Sequence, residues 1–196
     1  FTLTLTLSLG LGTSFWIYNH IYKKNKNKNK LNKLRSINYH FLRECNFSCK
    51  YCFHVDKNSS ENVKTNILSI NQMKKLLTLL KKAGCEKINF SGGEPFLKAK
   101  QLGIIVQFSK QELGLKTGII SNGSLIKQEW FEKYGQYLDW LGISMDSFQE
   151  QTLKNIGRNS MNKKPSVMFE QLMQIKLWCQ MYKIHFKINT VVSIFN

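Results

Sequence analysis

The sequence has 196 residues, of which 42% are hydrophobic, and this suits one packed domain. Its net charge of +17 favours a polyanionic ligand such as a nucleotide, a nucleic acid or an anionic lipid, although positive charge also serves solubility. Three of the five cysteines are clustered, which argues against a disulfide scaffold and for a reducing compartment.

The first segment, 1–22, is mostly apolar and contains no charged residue. About 20 such residues can cross a bilayer as a helix. Hydroxyl residues recur with a period of two at Thr2, Thr4, Thr6 and Ser8, and this period scatters them around a helix axis. The segment therefore predicts a membrane-spanning anchor rather than an amphipathic helix lying in the membrane plane. A truncated signal peptide is the alternative, although no small-residue cleavage site is obvious.

The second segment, 23–35, is rich in lysine and asparagine and cannot bury apolar surface. It predicts a solvated linker. Next to an apolar segment it is also a positive flank, which places the following domain on the cytoplasmic side of a membrane. A nuclear-localisation signal or a nucleic-acid-binding tail is the alternative.

From residue 36 to residue 196 the pattern predicts one domain in which strands and helices alternate. The first helix has a capping box at its start, where Ser69 is followed by Gln72, and Gly84 at its end. Such alternation is typical of a parallel sheet, and the residues that follow its strands meet at one edge. Asp146 follows a strand and is expected to cap a helix. The predicted strands are 37–41, 87–91, 117–121, 140–144 and 184–192, and the predicted helices are 70–83, 100–113, 125–134 and 167–182.

A cluster of three cysteines follows the first strand of this domain. Cys45, Cys49 and Cys52 have the spacing C-x3-C-x2-C, so three thiolates on one short loop can converge on a metal centre. A closed zinc site or an ordinary iron–sulfur cluster takes four protein ligands. The fourth position is therefore either open to a small molecule or filled from elsewhere, as in a Cys3His zinc site completed by His54.

About 40 residues after the cysteines, Gly92-Gly93-Glu94-Pro95 follows a predicted strand, where glycine lets the backbone approach a ligand closely. The two motifs together resemble the radical S-adenosylmethionine (SAM) enzymes. An ordered set of further motifs, from about Ser36 to the last residue, resembles the viperin family of that superfamily. These motifs are Asn38-Tyr39-His40, Cys52-Phe53-His54, the segment 86–95, Ser121 to Ser124, Asp146-Ser147-Phe148, Gly157-Arg158 and Phe186 to Asn189.

The resemblance implies an α/β fold, a partial (β/α)6 radical SAM barrel. About five strands are counted, so the barrel is expected to be incomplete at its C-terminal end. It also implies two cofactors, a [4Fe–4S] cluster with three irons ligated by Cys45, Cys49 and Cys52, and SAM on the fourth iron. For Ser121, Asn122 and Ser144 at the strand ends, the alternative role is helix capping. For Arg158, the alternative is a surface position without a ligand. The residues that the resemblance assigns to SAM are Gly92, Gly93, Glu94, Ser121, Asn122, Ser144 and Arg158.

The family acts on a nucleoside triphosphate, chiefly CTP. Lys87 and Ser91 are four residues apart on one strand and share a face, as do Lys187 and Asn189, which are two apart. A lysine inside a barrel is costly unless it has an anion, so these lysines favour a phosphate ligand; outward, solvated lysines are the alternative. The positions that the resemblance assigns to the substrate are Asn38, Lys87, Ser91, Lys187 and Asn189.

The resemblance implies a lyase that converts CTP to 3′-deoxy-3′,4′-didehydro-CTP, a chain terminator for viral RNA polymerases, and hence antiviral defence. An external electron donor and a membrane are the expected partners, and no nucleic acid is expected. The expected location is the cytoplasmic face of the endoplasmic reticulum or lipid droplets. The chain starts at Phe1 and ends at Asn196, so a fragment is expected at both ends. The catalytic tyrosine of the family is expected beyond Asn196, which puts the activity of this fragment alone in question.

Two other hypotheses stay open at this stage. The first is a radical SAM enzyme of another specificity, acting on UTP or on a peptide. The second is a membrane-anchored scaffold protein whose cluster site is vestigial.

Overall fold

The computed structural model describes residues 4–8, 35–52, 67–158 and 165–194. Across these ranges six strands form one sheet in the order β1-β2-β3-β4-β5-β6, and every neighbouring pair is parallel. The predicted parallel α/β architecture is confirmed. The strands are β1 (Thr4–Ser8), β2 (Ser36–Leu42), β3 (Lys87–Gly92), β4 (Lys116–Ser121), β5 (Trp140–Ser144) and β6 (His185–Asn189).

Strand β1 lies inside the segment for which the sequence predicts a spanning helix. Thr4–Ser8 is extended and pairs with β2, with Leu5 opposite Ile37. The period-two alternation of hydroxyl residues and leucines is that of a strand, so here the periodicity outweighs the apolar composition. The remainder of the expected anchor and the linker up to residue 34 lie outside the described residues, and the membrane anchor stays a prediction. In the described part of the chain, no helix is both long enough and apolar enough to cross a membrane.

The helices cover the sheet between successive strands. Helix α1 begins with the predicted capping box, in which the Ser69 hydroxyl accepts from the Gln72 N–H and the Ser69 N–H donates to Gln72 Oε1. Helix α4 was not predicted, because six residues are too few to show a helical period. The helices are α1 (Ile70–Lys82), α2 (Ala99–Gln111), α3 (Gln128–Tyr134), α4 (Glu150–Asn155) and α5 (Pro165–Met181), with 3₁₀ turns at Pro95–Lys98 and Gly135–Tyr137.

The two faces of the sheet differ in polarity. Ile88 and Phe90 of β3 are completely buried in the hydrophobic core between the sheet and the helices. Lys87, Asn89 and Ser91 alternate with them and therefore lie on the opposite, inner face. In a partly closed β/α barrel this inner face surrounds the interior. The inner face of β3 is therefore polar.

The carboxyl ends of the parallel strands meet at one edge. The cysteine loop follows β2, the turn at Gly92–Glu94 follows β3, and Ser121 and Asn122 close β4. Ser144 is the last residue of β5. The topology therefore collects the predicted cofactor positions at one end of the barrel, as the sequence predicts.

Candidate active site

A cavity of about 480 Å³ opens at the carboxyl ends of the strands. It is lined by all three clustered cysteines, by the turn after β3 and by residues at the ends of β4 and β5, and it reaches down to the inner face of β2 and β3. The predicted residues that line it are Asn38, Cys45, Cys49, Cys52, Ser91, Gly92, Gly93, Glu94, Ser121, Asn122, Ser144 and Arg158. One cavity thus joins the predicted cluster ligands, the predicted SAM contacts and two of the predicted substrate contacts.

The cysteine loop is held by backbone hydrogen bonds. The Cys52 N–H donates to the Cys49 carbonyl at 3.1 Å, and the Lys50 N–H donates to the Ile156 carbonyl at 3.0 Å, which ties the loop to the end of α4. Burial raises the pKa of the Cys45 and Cys49 thiols. A metal must therefore displace protons from these thiols when it binds.

The arrangement of the three cysteines is compatible with a cluster. Among the residues that the structure describes, no group of three or more His, Cys, Asp or Glu side chains is arranged to hold one metal ion. In a [4Fe–4S] cluster the cysteines bind different irons, so their sulfur atoms need not converge on one point. Cys45, Cys49 and Cys52 line one cavity large enough for such a cluster. His54, the fourth ligand of the alternative zinc site, lies outside the described residues.

The Gly92–Glu94 turn packs against the chain that leads into the cysteine loop. The Gly93 N–H donates to the Leu42 carbonyl and the Glu94 N–H to the Glu44 carbonyl, each at 2.8 Å. A Cβ atom on Gly93 would lie 1.8 Å from the Glu44 carbonyl oxygen, and Gly92 has φ +128°. The glycines therefore permit close approach, but to residues 42–44 as well as to the cavity.

The carboxylate of Glu94 joins the ends of β3 and β4. It is completely buried, and burial raises its pKa, although its hydrogen bonds oppose that shift. Oε1 accepts from the Ser121 hydroxyl at 2.8 Å and from the Phe96 N–H at 3.0 Å, and Oε2 accepts from the Asn122 N–H at 2.8 Å. This carboxylate is engaged with the protein itself, so the backbone of the turn remains to hold an amino group.

A hydrogen-bonded bridge that the sequence analysis did not assign joins this edge to the cysteine loop. Asn122 Nδ2 donates to Asn46 Oδ1 at 2.9 Å, and Asn46 Nδ2 donates to the Ser124 hydroxyl at 2.8 Å. Asn46 sits directly after Cys45, and this position inside the motif was the only signal in the sequence. The bridge fixes the cysteine loop relative to β4.

Asp146 does not cap a helix, contrary to the sequence prediction. Its Oδ2 accepts from Arg158 Nε at 2.7 Å and from the Tyr51 hydroxyl, and its Oδ1 accepts from the Val191 N–H at 2.8 Å. The Arg158 guanidinium also lies over the Tyr51 ring, 5.6 Å from its centroid. Helix α4 begins later, after Gln149, so the carboxylate is left to orient the arginine.

The predicted substrate residues divide into two groups. Asn38 and Ser91 line the cavity, whereas Lys87, Lys187 and Asn189 do not. Lys87 and Lys187 both approach the ring of Trp140, with each Nζ 4.9 Å from the ring centroid. Strand β3 and strand β6 thus direct one lysine each to the same ring. Lys187 is nevertheless exposed, so contact with the ring does not remove it from solvent.

The profile of the Radical SAM superfamily matches residues 39–174 of the sequence. The chain belongs to the radical SAM superfamily. Within this superfamily it is 51% identical over 164 residues to the S-adenosylmethionine-dependent nucleotide dehydratase RSAD2 of Siniperca chuatsi, covering 82% of this chain and 44% of that protein. It is 49% identical over 164 residues to the protein of the same name from Danio rerio, covering 82% and 43%. The predicted viperin family is confirmed by these relatives.

The radical SAM fold also recurs in solved structures. The crystal structure of methylornithine synthase (PylB) matches with a TM-score of 0.58 at 14% identity, covering 91% of this chain and 49% of that one. At this identity the likeness shows the fold alone, and it confirms the predicted radical SAM barrel. The chain spans less than half the length of the two RSAD2 proteins named above.

Proposed function

We propose that this chain is the cofactor-binding part of a radical SAM nucleotide dehydratase that converts CTP to 3′-deoxy-3′,4′-didehydro-CTP in antiviral defence. One observation carries the proposal. A single cavity is bounded by Cys45, Cys49 and Cys52, by the Gly92–Glu94 turn, and by Asn38 and Ser91 on the inner face of the barrel. Cluster, SAM and substrate positions are therefore continuous.

Different residues of the chain would hold the cluster and SAM. The three thiolates would ligate three irons of a [4Fe–4S] cluster, which leaves one iron for the amino and carboxylate groups of SAM. The backbone of Gly92–Glu94 would accept from the amino group, because the Glu94 side chain is already engaged. The Arg158 nitrogens that do not bind Asp146 would donate to the carboxylate of SAM. Ser144 lines the same cavity and would donate to the cofactor from the end of β5.

When bound, the reduced cluster and SAM would supply the one-electron chemistry that removes the hydrogen atom from ribose C4′, with methionine and 5′-deoxyadenosine as the products of SAM. The 3′ hydroxyl then leaves as water, with one proton and one further electron added, and a C3′–C4′ double bond remains. An external electron donor must provide both electrons.

A nucleoside triphosphate as substrate is supported by charge and by the relatives. About four negative charges need basic partners, and two lysines converge on the ring of Trp140. The relatives at 51% and 49% identity are both named nucleotide dehydratases. Preference for CTP over other nucleotides rests on the resemblance to the viperin family.

The test is anaerobic turnover of the full-length protein after cluster reconstitution, with SAM, dithionite and one nucleotide at a time. CTP is expected to stimulate 5′-deoxyadenosine formation more than UTP, GTP or ATP do, and to yield a product lighter by one water. Cys49→Ala is expected to abolish both products, because one cluster ligand is lost. Cys85→Ala is the matched control, because Cys85 is a buried thiol in the segment between α1 and β3, away from the cavity.

Other outcomes decide between the alternatives. If UTP rather than CTP stimulates 5′-deoxyadenosine formation, the protein is still a radical SAM enzyme, but its substrate is UTP. Colourless protein that carries zinc and never forms 5′-deoxyadenosine would overturn the proposal in favour of a scaffold role.

A further inference from the structure

Trp140 lies at the centre of the basic part of the barrel interior. It is the first residue of β5, between β4 and β6 in the sheet. The Nζ atoms of Lys87, from β3, and Lys187, from β6, each lie 4.9 Å from the centroid of its ring. An ammonium group at this distance from an indole is attracted by the negative face of the ring. One aromatic side chain thus contacts both predicted phosphate-binding lysines.

Two glycines make room for this ring. A Cβ atom on Gly118 would lie 2.0 Å from Trp140 Nε1 and 2.1 Å from Cε2, so the indole lies directly on the β4 backbone. A Cβ atom on Gly142 would lie 3.1 Å from Trp140 Cζ3 and 2.9 Å from Asn189 Nδ2. Neither glycine has a positive φ, so both are explained by the space that the neighbouring side chains occupy. The position of the ring is therefore built into two neighbouring strands.

The lysines at this ring lack a carboxylate in the described part of the chain. None of the ion pairs there includes Lys87 or Lys187. Burial lowers the pKa of Lys87, and the charges of Lys187 and Lys116 lower it further. Two repelling ammonium groups held at one ring are stabilised by a bound anion.

Polar atoms on the same inner face also lack partners. Asn89 donates through Nδ2 to Asn38 Oδ1 at 2.8 Å, yet its own Oδ1 is buried without a hydrogen-bond partner in the described residues. The same holds for the Ser91 hydroxyl, which lines the cavity. Buried polar atoms of this kind are normally satisfied by a ligand or by water. Lys87, Asn89 and Ser91 lie on successive inward positions of one strand, β3.

We infer that Trp140 is a positioning residue for the substrate, because it holds the ammonium groups of Lys87 and Lys187 together as one binding site for the polyphosphate of a nucleotide. The inference rests on the proposed function. Its physical basis is preorganisation: lysine side chains that are already ordered lose less entropy when the anion binds. Loss of the ring is expected to weaken polyphosphate binding although neither charge is removed.

The first test measures binding of inorganic tripolyphosphate and of CTP to the full-length, cluster-reconstituted protein by calorimetry. Trp140→Leu removes the ring and is expected to weaken binding of both probes by roughly 10-fold. Trp140→Phe keeps an aromatic face and is expected to weaken it by only about 2-fold. The phenyl variant is expected to fold normally, because the indole N–H that it removes has no hydrogen-bond partner in the described residues. In turnover, Trp140→Leu is expected to raise KM for CTP far more than it lowers kcat.

A second variant moves the ring without changing it. Gly118→Ala places a methyl group where the indole lies, so it is expected to reproduce the binding defect of Trp140→Leu. If both changes act through the ring, the double variant will bind tripolyphosphate no more weakly than Trp140→Leu alone. Trp178→Phe is the matched control, because Trp178 packs on Phe131 in the helix layer, and it is expected to bind like the wild type.

The outcomes separate this inference from the function on which it rests. If the wild type binds neither tripolyphosphate nor CTP, the proposed nucleotide substrate is wrong. If the wild type binds both probes and Trp140→Leu binds them equally well, the role of Trp140 is wrong and the proposed function stands. Equal losses in Trp140→Phe and Trp140→Leu would also overturn the inference, because the aromatic face would then contribute nothing.

Discussion

At the scale of single residues, Asp146 organises one side of the cavity. Its carboxylate accepts hydrogen bonds from Tyr51 in the cysteine loop, from Arg158 beyond α4 and from the Val191 N–H after β6. Asp146 and Arg158 are both buried, so solvent screens their interaction little. Three segments that are distant in sequence are therefore fixed relative to one another by one acceptor.

Asp146→Ala is expected to lower the free energy of unfolding by about 3–5 kcal/mol, because it leaves the Arg158 guanidinium buried without its counter-charge. Urea unfolding at pH 7 measures the loss. Glu150→Ala is the control, because its ion pair with Lys154 is half exposed and contributes at most about 0.5 kcal/mol. Similar losses in the two variants would contradict the assigned role of Asp146.

Sequence reasoning could find the site residues whose chemistry is local. The spacing of Cys45, Cys49 and Cys52 is visible within eight residues, and the inward face of Lys87 follows from strand period alone. The contacts of Asp146 and Trp140 could not be predicted in this way. They depend on which strands become neighbours and on where a glycine leaves space, and a single sequence shows neither.

At the scale of elements, the turn after β3 and the chain after β2 form one unit. Backbone hydrogen bonds of 2.8 Å join Gly93 to Leu42 and Glu94 to Glu44, immediately before Cys45. The turn therefore sets the point at which the cysteine loop begins. A change in its backbone is transmitted to the cluster ligands.

Gly93→Ala is expected to displace the start of the cysteine loop, because its methyl group would lie 1.8 Å from the Glu44 carbonyl oxygen, and backbone cannot move aside as a side chain can. We expect a loss of about 1–3 kcal/mol in stability and a clear fall in bound iron after anaerobic reconstitution. Iron content and urea unfolding measure the two effects.

Gly114→Ala is the matched comparison for this turn. No atom lies within 4 Å of the added methyl group, but the φ of +59° is strained for alanine, at a cost of about 1 kcal/mol. This variant is expected to be slightly less stable and to bind iron normally. Normal iron content in Gly93→Ala as well would show that the turn does not position the cysteines.

At the scale of the whole molecule, the parallel sheet could be predicted because the strand and the helix of each βα unit show their own hydrophobic periodicity in the sequence. Five of the six described strands follow from alternation and from the helices between them. Strand β1 was missed because its leucines belong to an apolar run of the length of a membrane-spanning helix. A segment that fits both a strand pattern and a membrane-helix pattern can be assigned only once its neighbours in the fold are known. Here the segment pairs with strand β2, with Leu5 opposite Ile37.

The link between the helix layer and the sheet also makes the fold sensitive to acid. Asp139 Oδ1 accepts from Lys110 of α2 at 2.6 Å, and Oδ2 accepts from the Thr117 N–H of β4 at 2.7 Å. Burial alone would raise the pKa of Asp139, but the bonds from Lys110 and Thr117 outweigh it and hold the pKa below its usual value. A carboxyl group whose pKa is lower in the folded state stabilises the fold above its unfolded pKa, near 3.9. That contribution is lost as the pH falls through the folded pKa.

Asp139→Asn is therefore expected to lower the free energy of unfolding by about 1–2 kcal/mol at pH 7, because an amide replaces the carboxylate that accepts from Lys110 and Thr117. The difference from the wild type is expected to shrink below about pH 4, where the wild-type carboxyl itself becomes protonated. Urea unfolding of both proteins between pH 7 and pH 3 measures it. Lys110→Met removes the ion pair with Asp139 but keeps the hydrogen bond from the Thr117 N–H. Because the ion pair is one-third exposed, this variant is expected to lose less free energy of unfolding than Asp139→Asn. A difference between wild type and Asp139→Asn that stays constant down to pH 3 would mean that the ionised carboxylate does not link the helix layer to the sheet.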